Sequence, residues 1–152
     1  PVLLDQPAPR LRVYRRETVV AEKLQAMVDL GLANSRMKDF FDLRFLAATF
    51  DFDGAQLPRA IEATFSQRRT PVPRSTPAAL TDAFATDPGK QTQWRAFLRR
   101  SGLHLEDLDL EAVISVLRVF LLPPIESLHA GRPCELIWTG GGPWCAPKDS
   151  EA

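Results

Sequence analysis

The sequence predicts a mainly α chain with one or two short strands near its amino end. Three observations point there: long runs free of Gly and Pro with apolar residues at helical spacing, capping side chains just before such runs, and prolines gathered at segment edges. Thirteen prolines in 152 residues exceed the usual share of about 5%, and their positions read as punctuation between helices.

Leu11–Tyr14 alternates apolar and basic residues after a Pro-rich lead, which fits a short strand. From Glu17 to Leu30 the run ETVVAEKLQAMVDL has no breaker, carries Glu17 in its first turn and ends at Gly31, a residue suited to the position just past a helix. A second helix is predicted from a Ser35 cap to about Phe50, and a third from about Ala55 to Gln67 after the Asp53-Gly54 break. RRTPVPRST, residues 68–76, is a Pro-rich connector. Thr76-Pro77 and Asp87-Pro88 each set a capping side chain before a proline, predicting helices over about 77–86 and 88–101. A last apolar helix, Leu110–Leu122, is expected to stop at Pro123-Pro124, and residues from Arg132 onward look irregular.

Composition excludes several classes. Apolar residues are 45% and charged residues 25% of the chain, so a disordered, collagen-like or coiled-coil chain is not expected. Nineteen basic residues balance 19 acidic ones, which argues against a wholesale polyanion binder. The apolar stretch Ala112–Leu122 is interrupted by Ser115 and Arg118, whereas a span needs about 20 apolar residues, so no membrane partner is expected. PVLLDQPAPR lacks the basic region of a secretory signal. The first residue is not Met, so the chain is either processed or a piece of something longer. Cys134 and Cys145 have neither CxxC nor Cys/His spacing, which indicates no zinc site and no disulfide framework, and a reducing cytoplasm is the expected compartment.

Two charges fall on the wrong faces. At about 100° per residue the first helix gathers Val19, Ala26, Leu30, Met27, Val20, Leu24 and Val28 on one arc, with Thr18, Glu22, Gln25 and Asp29 opposite; Lys23 falls inside the apolar arc. Either its stem packs while the ammonium reaches water, or it points at a fixed anion. In the second helix Asp39 lies along the stripe Leu43, Leu46 and Phe50, with Asp42 one turn on. Asp39 in a first turn also suits the helix dipole, and Asp42 also suits a pair with Lys38. Successive helices that each place one charge of opposite sign in an apolar stripe suit phosphate contact, metal binding or proton transfer. Between them, Asn34, Ser35, Arg36 and Lys38 supply donors at a helix start, a ready anion site.

With these residues the sequence resembles the AbiEii/AbiGii toxin family of nucleotidyltransferases. The likeness runs through Tyr14–Glu17, Val20-Ala-Glu-Lys23-Leu-Gln-Ala26, Asn34–Leu43 with its KDxxD, Phe52-Asp-Gly54, Ala60-Ile61, Thr64-Phe65 and Arg69-Thr70-Pro71. The resemblance implies the helical carboxyl-terminal portion of a polymerase β-like nucleotidyltransferase. It implies transfer of a nucleotide from an NTP, with Mg2+, to an acceptor such as a tRNA 3′ end, by the toxin of a bacterial toxin–antitoxin or phage-defence system. Lys23 would contact the nucleotide phosphates, Asp39 would be the catalytic carboxylate, as base for the attacking hydroxyl or as support to the metal site, and Asp42, Asn34, Ser35, Arg36 and Lys38 would shape the same pocket. NTP, an RNA acceptor and an antitoxin are the partners so implied.

One family motif is missing. The family's Gly-Ser dipeptide, followed by two metal-holding aspartates, has no counterpart, because the chain contains no Gly-Ser. Asp51-Phe-Asp53 has the aspartate spacing but follows a helix, and reads as a helix terminator. No metal ligand is therefore expected in this chain, which reads as the carboxyl-terminal part of such an enzyme, inactive alone. On that reading residues 1–16 are a remnant of the catalytic sheet, 17–67 carry the AEK and KDxxD motifs, 68–76 connect, 77–131 form a helical subdomain and 132–152 an irregular tail.

The alternative is a non-catalytic helical interaction or RNA-binding module. Its support is the basic groups Arg10, Arg12, Arg15, Arg16 and Arg68, Arg69, Arg74, which could hold RNA phosphates, although a solvated surface is the favoured reading of them. His104 and His129 join no Ser, Cys or Asp array, so hydrolase chemistry ranks last; Trp94, Trp138 and Trp144 read as core or cover.

Overall fold

A computed structural model describes the backbone of residues 8–103, 108–132 and 134–147, with side chains from residue 16 onward. Six helices dominate: α1 (Ala8–Leu30), α2 (Met37–Thr49), α3 (Gln56–Gln67), α4 (Asp82–Ala85), α5 (Pro88–Arg100) and α6 (Leu110–Ala130). Short 3-10 turns at Gly31–Ala33 and Ala78–Leu80 precede α2 and α4. Three two-residue strands, β1 (Phe52–Asp53), β2 (Ile137–Trp138) and β3 (Trp144–Cys145), form an antiparallel sheet in that order, with Phe52 opposite Trp138 and Trp138 opposite Trp144.

The mainly α reading holds, but the strand is not where the sequence suggested. Leu11–Tyr14 is helical and belongs to α1. Four alternating residues are weak evidence for a strand, Pro9 is tolerated in a first helical turn, and no breaker separates it from Glu17.

Side-chain caps set two other boundaries and are missing from a third. Asp87 accepts the Lys90 amide at 2.9 Å with Pro88 at the helix start, so α5 begins where predicted. Thr76 does not cap a helix; Pro77 opens the 3-10 turn, and Thr81 accepts the Phe84 amide to start α4. Ser35 does not cap α2 either, since the helix opens at Arg36 without a side-chain cap.

The largest correction concerns α6, which runs through Pro123 and Pro124 to Ala130 and ends at Gly131 in the left-handed region, φ 64°. A proline at 124 cannot donate to the Phe120 carbonyl. Trp144 Nε1 donates to that carbonyl instead, at 2.9 Å. By length and composition this 21-residue helix would suffice to cross a membrane, which the shorter predicted segment would not. Its face Leu110, Val113, Ile114, Leu117, Phe120, Leu121, Pro124 and Ile125 is nevertheless buried against α2, α3 and α4, as in a core helix.

One continuous apolar core draws on every helix and on Trp138. Helix α1 lies along α3, and α2 along α6. The buried face of α1 is Glu17, Val20, Ala21, Leu24, Gln25 and Met27, a stripe at spacings of three and four. This face is rotated from the predicted arc: Leu30 is exposed and Gln25, expected on the polar side, is buried. The connector explains it, because Thr70 lies over α1 and accepts a hydrogen bond from Gln25 Nε2 at 2.9 Å. Each large apolar side chain fully buried here is worth about 1.5–3 kcal/mol.

Residues 134–147 are more ordered than their composition suggests. Trp138 is buried between Phe120 and Trp144, and its Nε1 donates to the Ala47 carbonyl at 2.7 Å. Asp51, rather than merely ending a helix, accepts the Gly140 amide at 2.9 Å. Trp94 is likewise buried, and Trp144 half-buried, so all three tryptophans act as core or cover. His129 contacts the Pro73 carbonyl, and His104 lies outside the described residues.

Candidate functional site

Helices α1 and α2 are joined by the 31–36 turn, and that short link brings the two misplaced charges together. Lys23 Nζ lies 3.0 Å from Asp39 Oδ1 and 3.1 Å from Asp42 Oδ2. The carboxylates are one turn apart on α2, so both project toward α1. Lys38 Nζ also reaches Asp42 Oδ2, at 2.7 Å, and Arg36 Nε lies 3.1 Å from Asp39 Oδ2. Three cations therefore bracket two carboxylates. Lys23 keeps only 22% of its side chain exposed and Asp39 6%, while Arg36 and Lys38 stand in solvent.

Of the two readings open for Lys23, the fixed-anion one describes this geometry. Burial pulls its ammonium toward neutrality, but the hydrogen bonds and charges of Asp39 and Asp42 outweigh that, raising its pKa above the ordinary value. Lys23 is a fixed cation at the edge of the core.

Two polar atoms beside it are unsatisfied. Asp39 Oδ2 is buried and accepts no hydrogen bond, because Arg36 Nε is at ion-pair distance without its N–H aligned on that oxygen. Asn34 is fully buried; its Oδ1 accepts the Arg36 amide at 2.8 Å, while its Nδ2 has no partner. An unpaired buried polar group costs about 1–3 kcal/mol, so two in adjacent turns form a reservoir of unsatisfied bonding. The amides expected to hold an anion are partly spent: Arg36 N donates to Asn34, Met37 N to the Ser35 carbonyl and Asp39 N to the Arg36 carbonyl. Side-chain charge, more than backbone amides, is what this helix start offers. Ser35 is exposed on the turn.

Lys90, which sequence reasoning missed, completes the surround. From the first turn of α5 its Nζ donates to the Asn34 carbonyl at 2.7 Å and lies 5.2 Å above the Phe84 ring. Phe84 in turn stacks on Phe40, next to Asp39, with centroids 5.4 Å apart. Only the fold joins these positions. Glu17 was also missed, although its spacing to Val20, Ala21 and Leu24 was a usable signal. It is buried with Oε2 unpartnered; burial pushes its carboxyl up, its own backbone amide and Arg16 offset this in part, and Asp53 adds to the rise.

Among the described residues, Arg16, Arg68 and Arg69 make no ion pair with the cluster carboxylates. Arg16 is half-buried with its guanidinium 4.6 Å above Phe50, while Arg68 and Arg69 are exposed past the end of α3, with Arg69 at φ 53°. The side chains of Arg10, Arg12 and Arg15 lie outside the described residues. A cleft of about 480 Å³ between α5 and the start of α6 is lined by Trp94, Leu98 and Leu110 and by none of the cluster residues.

A family model described as nucleotidyl transferase AbiEii toxin, type IV toxin–antitoxin system, matches residues 1–117. The chain belongs to that family. Comparison with curated proteins and with solved structures returns no match. The AbiEii family is one of nucleotidyl transferases that serve as toxins, which places a nucleotide among its substrates and an antitoxin among its partners. Lys23, Asp39, Asp42 and Lys90 all lie within the matched residues.

The donor set does not fit the divalent metal that nucleotidyl transfer implies. Mg2+ asks for oxygen ligands at about 2.0–2.1 Å in octahedral array. Asp39 and Asp42 instead converge on the Lys23 ammonium, and among the described residues no three His, Cys, Asp or Glu side chains are grouped to hold an ion.

Proposed function

We propose that Lys23, Asp39 and Asp42, with Asn34, Ser35, Arg36 and Lys38 around them, form the phosphate-facing half of a nucleotidyl transfer site in an AbiEii-type toxin. The observation that supports this reading is the pairing of Lys23 with Asp39 across two helices at 3.0 Å, beside a buried carboxylate oxygen that accepts no hydrogen bond. Negative charge builds on phosphate oxygens during transfer, and a preorganised ammonium flanked by Arg36 and Lys38 meets it without reorganisation. Asp39 Oδ2, which accepts no hydrogen bond and lies 3.1 Å from Arg36 Nε, is the atom that would take the proton of an attacking hydroxyl.

In this proposal the complete enzyme takes an NTP with Mg2+, and the residues that hold the metal lie outside those described here. The acceptor is an RNA, with a tRNA 3′ end as the first to try; the setting is the bacterial cytoplasm, in a toxin–antitoxin or phage-defence system. This chain is inactive alone. A titration of the 152-residue chain with ATP tests the binding half: Lys23→Met and Arg36→Ala should each weaken ATP at least tenfold, and unchanged affinity in both ends the proposal. In the complete enzyme, Lys23→Ala or Asp39→Asn should abolish incorporation of labelled nucleotide into tRNA with the fold intact.

A further inference from the structure

We propose that Lys23 is the resident cation of this site: its ammonium occupies the place between Asp39 and Asp42 that a divalent metal would take, so the pair does not bind one. The inference deepens the phosphate-facing reading, and rests on it only for the nature of the incoming anion.

The geometry carries it. Two carboxylates at i and i+3 on α2 point into one space, the usual preparation for a shared cation. That space holds Nζ of Lys23, 3.0 Å from Asp39 Oδ1 and 3.1 Å from Asp42 Oδ2. A metal bridging the same two oxygens at about 2 Å would sit on top of the ammonium. Lys23 comes from α1 between buried Leu24 and half-buried Val19 and Ala26, so its stem packs at the edge of the core while its ammonium reaches the two carboxylates.

Charge gives the same answer. Lys23, Arg36 and Lys38 outweigh Asp39 and Asp42 by one unit at the cluster, and Lys90 stands just behind at the Asn34 carbonyl. An added dication would meet this excess, whereas an anion relieves it. An ammonium has three donors, of which two are spent on Asp39 and Asp42. The third remains, on a side chain that is 22% exposed, to reach a phosphate oxygen while the carboxylates stay in place. A metal ion would need those carboxylates for itself. The resident ammonium thus makes the half-site selective for an anion before any metal arrives from elsewhere.

The test is a titration of the full chain with Mn2+, read as paramagnetic broadening of backbone amides. In the unaltered protein the Asp39 and Asp42 amides should show no more broadening than exposed carboxylates such as Glu62. Lys23→Met keeps the length of the stem and removes the charge, and should bring Mn2+ to Asp39 and Asp42 at least tenfold more tightly; Lys23→Met combined with Asp39→Asn should lose that gain. Site-specific Mn2+ binding at Asp39 and Asp42 in the unaltered protein overturns the proposal, and needs no variant to fold. So does a folded Lys23→Met that gains no metal. Inorganic pyrophosphate, titrated in parallel, tests the phosphate reading separately: a chain that refuses Mn2+ at this site and also ignores pyrophosphate retains its resident cation and loses its proposed ligand.

Discussion

At its carboxyl end α2 gives the Ala47 carbonyl two donors, the Trp138 indole at 2.7 Å and the Gly141 amide at 2.8 Å, and Asp51 just beyond takes the Gly140 amide. At its amino end the same helix opens without a side-chain cap, beside buried Asn34 Nδ2 and Asp39 Oδ2, neither of which makes a hydrogen bond. One end is closed by aromatic packing and completed hydrogen bonds; the other holds charge at the edge of the core. Unsatisfied buried atoms occur near both ends, with Arg16 Nε and Glu17 Oε2 on α1 beside Phe50 and β1, so what sets the amino end of α2 apart is the charge around it, three cations against two carboxylates.

Substitutions at the closed end should damage the fold most. Trp138→Ala removes a ring packed on Phe120 and Trp144 together with the Ala47 hydrogen bond, and should cost about 3–5 kcal/mol in urea denaturation. A loss below about 1 kcal/mol would abolish the contrast between the two ends. Gly54→Ala comes next: a Cβ there would lie 2.4 Å from the Leu136 carbonyl and 2.8 Å from that of Cys134, backbone that cannot yield cheaply, so a loss of about 1–3 kcal/mol is expected.

The open end should answer in binding. Lys23→Met is expected to weaken ATP at least tenfold, about 1.4 kcal/mol, a change larger than its effect on the denaturation midpoint expressed in the same units. The opposite ranking would make the cluster an ordinary structural ion pair. Trp144→Phe keeps most of the ring and deletes one donor to Phe120, at an expected cost of about 1 kcal/mol, with faster amide exchange in the middle of α6.

Glu17 gives the smallest and most diagnostic change. Its folded pKa is raised above the ordinary 4.5, so the folded state binds more protons than the unfolded one over the window just above that value. Stability contributed by this group is full below that value and falls as pH rises through the raised pKa. Glu17→Gln should therefore flatten the decline of stability with pH and leave the protein at least as stable at pH 7. A steeper decline would mean that the carboxylate is held in its charged form.

Particular residues show what the sequence disclosed. Asp87-Pro88 located α5 because a capping carboxylate and a helix-starting proline act locally, within three residues. Lys23 and Asp39 were legible because each broke the periodicity of its own helix. Lys90 broke no pattern; its role depends on α5 reaching the 31–36 turn, which no local rule encodes. Pro123-Pro124 misled because the loss of the Phe120 bond was visible in the sequence while its replacement, the Trp144 indole, lies far along the chain. The Leu11–Tyr14 strand failed for a related reason, since a strand is defined by a neighbour and alternation alone provides none.

The pairing of Phe52 with Trp138 has a consequence in time. During synthesis α1, α2 and α3 emerge long before residues 137–145, and until those residues arrive the Ala47 and Phe120 carbonyls lack their indole donors. The charged cluster on α1 and α2 can assemble early from neighbouring helices, whereas the two indole hydrogen bonds close only once Trp138 and Trp144 have followed.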